Sequence, residues 1–258
     1  MKQRCFPYIL TLFVSVIAVQ GQAVTVPAPG KASYDKGSTA LKNGDIESAI
    51  INYSRAIELE PKNANAYGGR GAAKRTKGDI EGALADLNKS IELDANVQSA
   101  YYARAWVNLI LKHGDDAYAD ATKVLSFNQT NAIIFPSHVL IAYFGLRQAK
   151  CDSEADTFLR TWALKLLPSS WTVQITRYLR REITDAQLFS SASGNKAMVE
   201  ARSYVGLDQS LSGKRDAALT NLRWVAAKAD RRTFEYTLAL AETRRLETPA
   251  PSKPLSKY

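Results

Sequence analysis

Two histidines, one cysteine beyond Cys5, and two arginines in step with two aspartates are the side chains of this 258-residue chain that could do chemistry. His113 and His138 have no His, Cys or Glu companion at a ligand spacing, so they build neither a metal cage nor a histidine-based general base. Cys151 has no neighbouring histidine to activate it and reads as a packing residue near a helix junction. No phosphate-cradling glycine motif and no serine nucleophile elbow is present. An enzyme needs a convergent set of such groups, and the sequence supplies none. It therefore predicts no catalytic residue, no metal and no cofactor.

The arginines and aspartates are more informative. Arg70 and Arg104 stand 34 positions apart, and Asp86 and Asp120 follow each by 16. A guanidinium offers two parallel N–H donors to a carboxylate, and such a pair, partly buried, fixes the register of two helices. In that reading Arg70 joins Asp86 and Arg104 joins Asp120 inside successive units. In the competing reading the arginines face a groove and hold a partner's carboxylate.

The interval of 34 belongs to the whole N-terminal half. Gly37, Gly44, Asp45, Ala49, Tyr53, Ala56 and Pro61 recur as Gly71, Gly78, Asp79, Ala83, Leu87, Ser90 and Ala95. They recur again, more weakly, as Ala105, Lys112, His113, Ala117, Ala121, Val124 and Gln129, with Gly114-Asp115 slipped by two residues. Each unit reads as two antiparallel helices, with Gly-Asp in the turn and small residues at the crossing. Apolar residues at three- and four-residue steps from Ala49 to Leu59 and from Ala83 to Leu93 carry the helical period.

The pattern resembles the tetratricopeptide repeat, or TPR. A degenerate fourth unit spans about Ser137 to Pro168, and a clearer fifth, with Tyr204, Gly206, Gly213, Ala217, Ala218, Leu222 and Val225, spans about Val199 to Arg232. Two short helices are predicted between them, the second capped by Thr184 or Asp185. The resemblance implies an all-α fold, a TPR-like right-handed superhelix of antiparallel helix pairs closed by a capping helix from Thr233 to about Leu246.

The domain plan is a signal peptide at 1–23, a linker at 24–32 and three TPR units at 33–131. A degenerate unit with connecting helices follows at 132–198, then a unit plus capping helix at 199–247 and a disordered tail at 248–258. The signal peptide is read from Lys2 and Arg4, the apolar run from Phe6 to Val19 and the small-residue end at Gly21-Gln22-Ala23. The run is shorter than the roughly 20 residues of a membrane span. Periplasmic localisation follows, with no integral span after cleavage and no lipid-bearing cysteine. Without Cys5 the mature chain can close no internal disulfide, so packing must stabilise it.

In stacked helical pairs the first helices line the concave, binding surface. The predicted protein-binding groove comprises Tyr34, Ser38 and Leu41, then Asn65, Gly68, Ala72 and Arg75, then Ser99, Tyr102, Trp106 and Leu109. Gly68 and Gly69 each cost a helix about 1 kcal/mol relative to alanine, which points to close approach by another backbone. The positions of a carboxylate clamp carry Tyr34, Ser38, Gly69, Ser99 and Ala103, so an acidic chaperone tail is not the expected ligand. Trp162, Trp171 and Trp224 fall on faces predicted to be buried.

The formal charge of +9 favours acidic partners, but the clusters Arg177, Arg180, Arg181 and Lys228, Arg231, Arg232 lie at helix ends, where cations complement the dipole. Nucleic acid is not an expected partner. Further along the chain, Tyr143-Phe144, Trp171 to Ile175, Tyr178-Leu179, Ile183, Glu200 to Gly206, Gly213, Ala217 and Phe234-Glu235-Tyr236 follow one another as in the NlpI family of bacterial envelope TPR lipoproteins, which this chain resembles. The missing lipid cysteine departs from that family. The resemblance implies an adaptor linking a periplasmic protease to peptidoglycan hydrolases, and a homodimer. The alternative is a structural envelope component that assembles through its repeat ends.

Overall fold

A computed structural model describes residues 29–127, 136–166 and 170–248. The expected signal peptide and residues 249–258 of the expected tail lie outside them.

Among the described residues every regular element is a helix. Four antiparallel pairs lead: α1 (Pro29–Asn43) with α2 (Ile46–Leu59), α3 (Ala64–Lys77) with α4 (Ile80–Leu93), α5 (Gln98–Leu111) with α6 (Gly114–Phe127), and α7 (Pro136–Gln148) with α8 (Asp152–Ala163). The short α9 (Trp171–Leu179) and α10 (Asp185–Ser191) connect to a fifth pair, α11 (Gly194–Leu211) with α12 (Arg215–Lys228), and α13 (Phe234–Glu247) ends the array. Helix α1 begins at Pro29, so residues 29–32 of the expected linker are helical; proline is well suited to the first helical turn.

The turns show why the Gly-Asp pair recurs. Gly44 and Gly78 adopt φ of 82° and 97°, and the aspartates after them cap α2 and α4 by accepting from the backbone N–H of Ser48 and Gly82. In the third unit Lys112 takes the left-handed position at φ 68°, and Gly114 becomes the first residue of α6. A Cβ on Gly114 would lie 2.5 Å from the Gly145 carbonyl of α7, and one on Gly145 would lie 2.8 Å from that of Gly114. This crossing of α6 and α7 admits only glycine on both sides. Thr184 caps α10 through a full capping box with Gln187.

Both Arg-Asp pairs form. Arg70 donates from Nε and Nη2 to Asp86 at 2.8 and 2.7 Å, and Arg104 does the same to Asp120 at 2.8 and 2.7 Å. Each arginine also reaches back to the preceding unit, to the Ser54 hydroxyl at 3.2 Å and the Asn88 side-chain oxygen at 2.7 Å. One guanidinium thus ties its own helix pair together and ties that pair to the one before it.

The main core lies on the inner side of the array, where α5, α7, α11 and α13 converge. Phe144 stacks on Tyr204 at 5.8 Å, and Trp106 stacks on Phe234 at 5.3 Å. A buried polar knot sits beside it, in which Asp208 accepts from Arg147, both outer nitrogens of Arg181 and the Tyr178 hydroxyl. Trp162 and Trp171 pack against the main core and Trp224 against a smaller C-terminal cluster.

Candidate functional site

The concave face has an open half and a covered half. On α1 and α3, Tyr34, Ser38, Leu41, Gly68 and Ala72 are half-buried and Asn65 is exposed; Ser99, at the start of α5, is exposed as well. Beyond them the surface closes. Tyr102 is half-buried, while Arg75, Trp106 and Leu109 are buried, Trp106 with 0% of its surface exposed.

The cover is α13. The ring of Phe234 lies nearly parallel to the Trp106 indole, 10° apart, and edge-on to Tyr102 at 5.4 Å. Arg75 crosses from α3 to hold the start of this helix. Its Nη1 donates to the Thr233 carbonyl at 3.0 Å and the Thr237 hydroxyl at 3.1 Å, and its Nη2 donates to the Arg232 carbonyl at 2.7 Å. The guanidinium carbon stands 4.1 Å from the Phe234 ring centre. Burial brings the Arg75 pKa down to about 10, still a cation at neutral pH. Arg232 in turn donates to the Lys42 carbonyl at 2.6 Å, at the end of α1. Lys112 of the third unit pairs with the buried Glu242. Burial pushes the Glu242 carboxyl up, but Lys112 and Arg245 outweigh it and hold it below its ordinary value.

Trp106 therefore cannot present its ring to a client in this arrangement, because the chain's own last helix occupies that place. The two glycines also separate. A Cβ on Gly69 would lie 2.4 Å from the Tyr53 ring, so an internal neighbour accounts for it. A Cβ on Gly68 would meet only the Ser90 hydroxyl at 3.4 Å, an ordinary contact. Arg232, read from the sequence as part of a helix-end cluster, is tied to this face: its carbonyl accepts from Arg75 and its guanidinium donates to the Lys42 carbonyl.

The groove ends in a recess of about 390 Å³ lined by Tyr102, Lys196, Glu200 and Glu235 among others. Burial raises the pKa of both carboxyls, and the charge of Glu235 raises Glu200 further, while Lys196 offsets part of each shift. His138 touches Tyr102 at 4.6 Å, and His113 is exposed on a turn. Among the described residues no three His, Cys, Asp or Glu side chains come together as metal ligands. None of their helices is long and apolar enough to cross a membrane.

Sequence reasoning placed the first-helix faces but missed Phe234 and Thr233 as part of this site. The available signal was the aromatic run Phe234-Glu235-Tyr236 directly after a threonine cap.

Comparison with known families and structures agrees with this architecture. Residues 37–74 match the model for a TPR repeat, and residues 64–97 match that for the tetratricopeptide repeat. Comparison with curated proteins finds no match. A solved tetratricopeptide repeat protein from Parabacteroides merdae is similar at a TM-score of 0.59 and 16% identity, over 84% of this chain and 86% of that one. PilW, a widely conserved type IV pilus biogenesis factor, is similar at a TM-score of 0.52 and 13% identity, over 82% of this chain and 98% of its own. PilF of Pseudomonas aeruginosa is similar at 0.50 and 17%, over 83% of this chain and 97% of its own. At these identities the likeness is one of fold: this chain is an all-α superhelix built with TPR repeats.

Proposed function

We propose that the chain is a non-catalytic scaffold that binds segments of other proteins along the open half of its concave face, on α1 and α3 beside α13. One observation carries this reading: the same face already holds a helix. On α5 it receives α13 through an aromatic stack at Trp106, and on α3 it offers a buried arginine to carbonyls at the start of that helix. A helix-in-groove client needs the same means, an apolar ridge and a pinned end. The adjoining surface at Tyr34, Ser38, Gly68 and Ala72 is continuous with it and has small residues at its centre.

The setting we propose is the periplasm, on the strength of the leader-like residues before Val24 and the likeness to NlpI-type envelope proteins. In that setting the clients are a periplasmic protease and peptidoglycan hydrolases, and the scaffold acts as a homodimer.

The test compares one substitution on two faces. Ala72→Trp, in the groove, should reduce capture of clients from a periplasmic extract at least tenfold. Ala85→Trp, on the exposed side of α4, should leave capture unchanged. Equal capture by both variants, with unaltered helical content, would reject the concave surface as the binding site. N-terminal sequencing of the periplasmic protein checks the setting, since processing should leave a chain starting near Val24.

A further inference from the structure

At the outer edge of the α13 seam, where the turn after α3 meets the middle of the last helix, lies a second recess of about 290 Å³. Arg75, Lys77, Arg231 and Arg244 contribute four cations to its wall, and no carboxylate lines it. Its remaining surface is largely apolar, formed chiefly by Ile80, Tyr236 and Leu240.

The charges there are poorly neutralised. Among the described residues Arg231 and Arg244 have no carboxylate within ion-pair distance, and Lys77 has only the exposed Glu47 at 3.3 Å. Arg75 is 6% exposed and spends its bonds on two carbonyls and a hydroxyl, with no acceptor at Nε. Elsewhere in the array a partly buried arginine at a helix crossing has its aspartate: Arg70 holds Asp86 and Arg104 holds Asp120. Glu235 acts on Arg75 only from beyond contact distance, so the buried cation has no carboxylate in direct contact, and concentrated positive charge over an apolar floor attracts an anion that carries its own apolar stem.

We propose that this recess binds a carboxylate standing next to an apolar side chain on a partner protein, a second anchoring point outside the concave groove. The apolar neighbour fills the floor at Ile80 and Leu240, and the carboxylate lies among Lys77, Arg231 and Arg244. Guanidinium groups match the planar carboxylate with paired donors. The inference rests on the reading of the chain as a protein-binding scaffold but uses none of the groove residues except Arg75.

Four probes test it, with amide shifts at Gly78, Tyr236 and Ala241 of the full mature chain as the readout. Acetyl-Leu-Glu-Leu-amide carries a side-chain carboxylate, and acetyl-Leu-Gln-Leu with a free terminus carries a terminal one. Acetyl-Leu-Gln-Leu-amide carries none, and inorganic phosphate supplies charge without an apolar stem. At least one carboxylate peptide should give saturable shifts at the three amides, and the stronger of the two identifies the source. The neutral peptide and phosphate should bind at least tenfold more weakly. Arg231→Ala and Arg244→Ala, both at exposed positions, should each weaken the carboxylate peptide severalfold without changing helical content. Equal binding of the neutral peptide, equal binding of phosphate, or unchanged affinity in both variants would each overturn the assignment. Because Ala72→Trp leaves the recess intact, lost client capture with these shifts preserved isolates the groove, and the reverse isolates the recess.

Discussion

The rings of Trp106 on α5 and Phe234 on α13 lie 5.3 Å apart and within 10° of parallel, so the aromatic most exposed to suspicion as a binding anchor is an internal contact. Trp106→Ala should act on stability before it acts on binding. Emptying a fully buried tryptophan site costs about 3 to 5 kcal/mol. A urea melt unchanged within 1 kcal/mol (about a third of that lower limit) would show that α13 does not rest on this ring.

The Arg-Asp ladder makes a second prediction. Asp86 and Asp120 are each only 4% exposed and hold bidentate arginines. Asp86→Ala or Asp120→Ala leaves a partly buried guanidinium without its partner and should cost about 3 to 5 kcal/mol, far more than a surface change. Thermal melts decide the matter, and two unshifted melts would reduce the pairs to ornament.

Adjacent glycines should respond with opposite signs. Gly69→Ala drives a methyl to 2.4 Å from the buried Tyr53 ring and should destabilise by about 1 to 3 kcal/mol. Gly68→Ala meets only an ordinary 3.4 Å contact and should gain most of the helix-propensity difference, about 0.5 to 1 kcal/mol. Shifts of the same sign in both variants would contradict the geometry.

Protonation of Glu200 and Glu235 gives a pH signature. Burial raises both carboxyls, so between the ordinary glutamate value and their raised values the folded chain holds more protons than the unfolded one. Their contribution therefore favours folding at low pH and is lost as pH rises through that window. Glu200→Gln should raise Tm at pH 7 and change it much less at pH 4. A Tm difference independent of pH would exclude the carboxyl as its source.

How far the sequence carried depended on whether a feature repeats. Arg70 with Asp86 and Arg104 with Asp120 were legible because two copies at one interval confirm each other. The cap at Thr184 was legible because capping is local chemistry, whereas Asp45 and Asp79 were read only as turn residues and Thr233 only as the start of the last helix, and all three prove to be N-caps. Asp208 with Arg147 and Arg181 was not, since those partners occur once and lie on α11, on α7 and in the turn after α9. The facing glycines Gly114 and Gly145 were missed for the same reason. The covering of α5 was not legible: residue spacing picks out one face of each first helix, but only the superhelical path brings α13 back over Trp106. Nothing periodic encodes that return.

Arg232 donating to the Lys42 carbonyl, across 190 positions of sequence, changes how the molecule must come apart. In an open stack each unit feels only its immediate neighbours, so terminal units fray first and melting spreads inward. Here the first helix and the approach to the last are tied together, and Arg75 and Lys112 fasten the same helix to the second and third units. Release of the end of α1 or of the approach to α13 must break this shared bond. Unfolding should therefore be a single cooperative event, with amides of α1 and α13 exchanging at rates close to those of α5, and the chain should behave as a clasped ring.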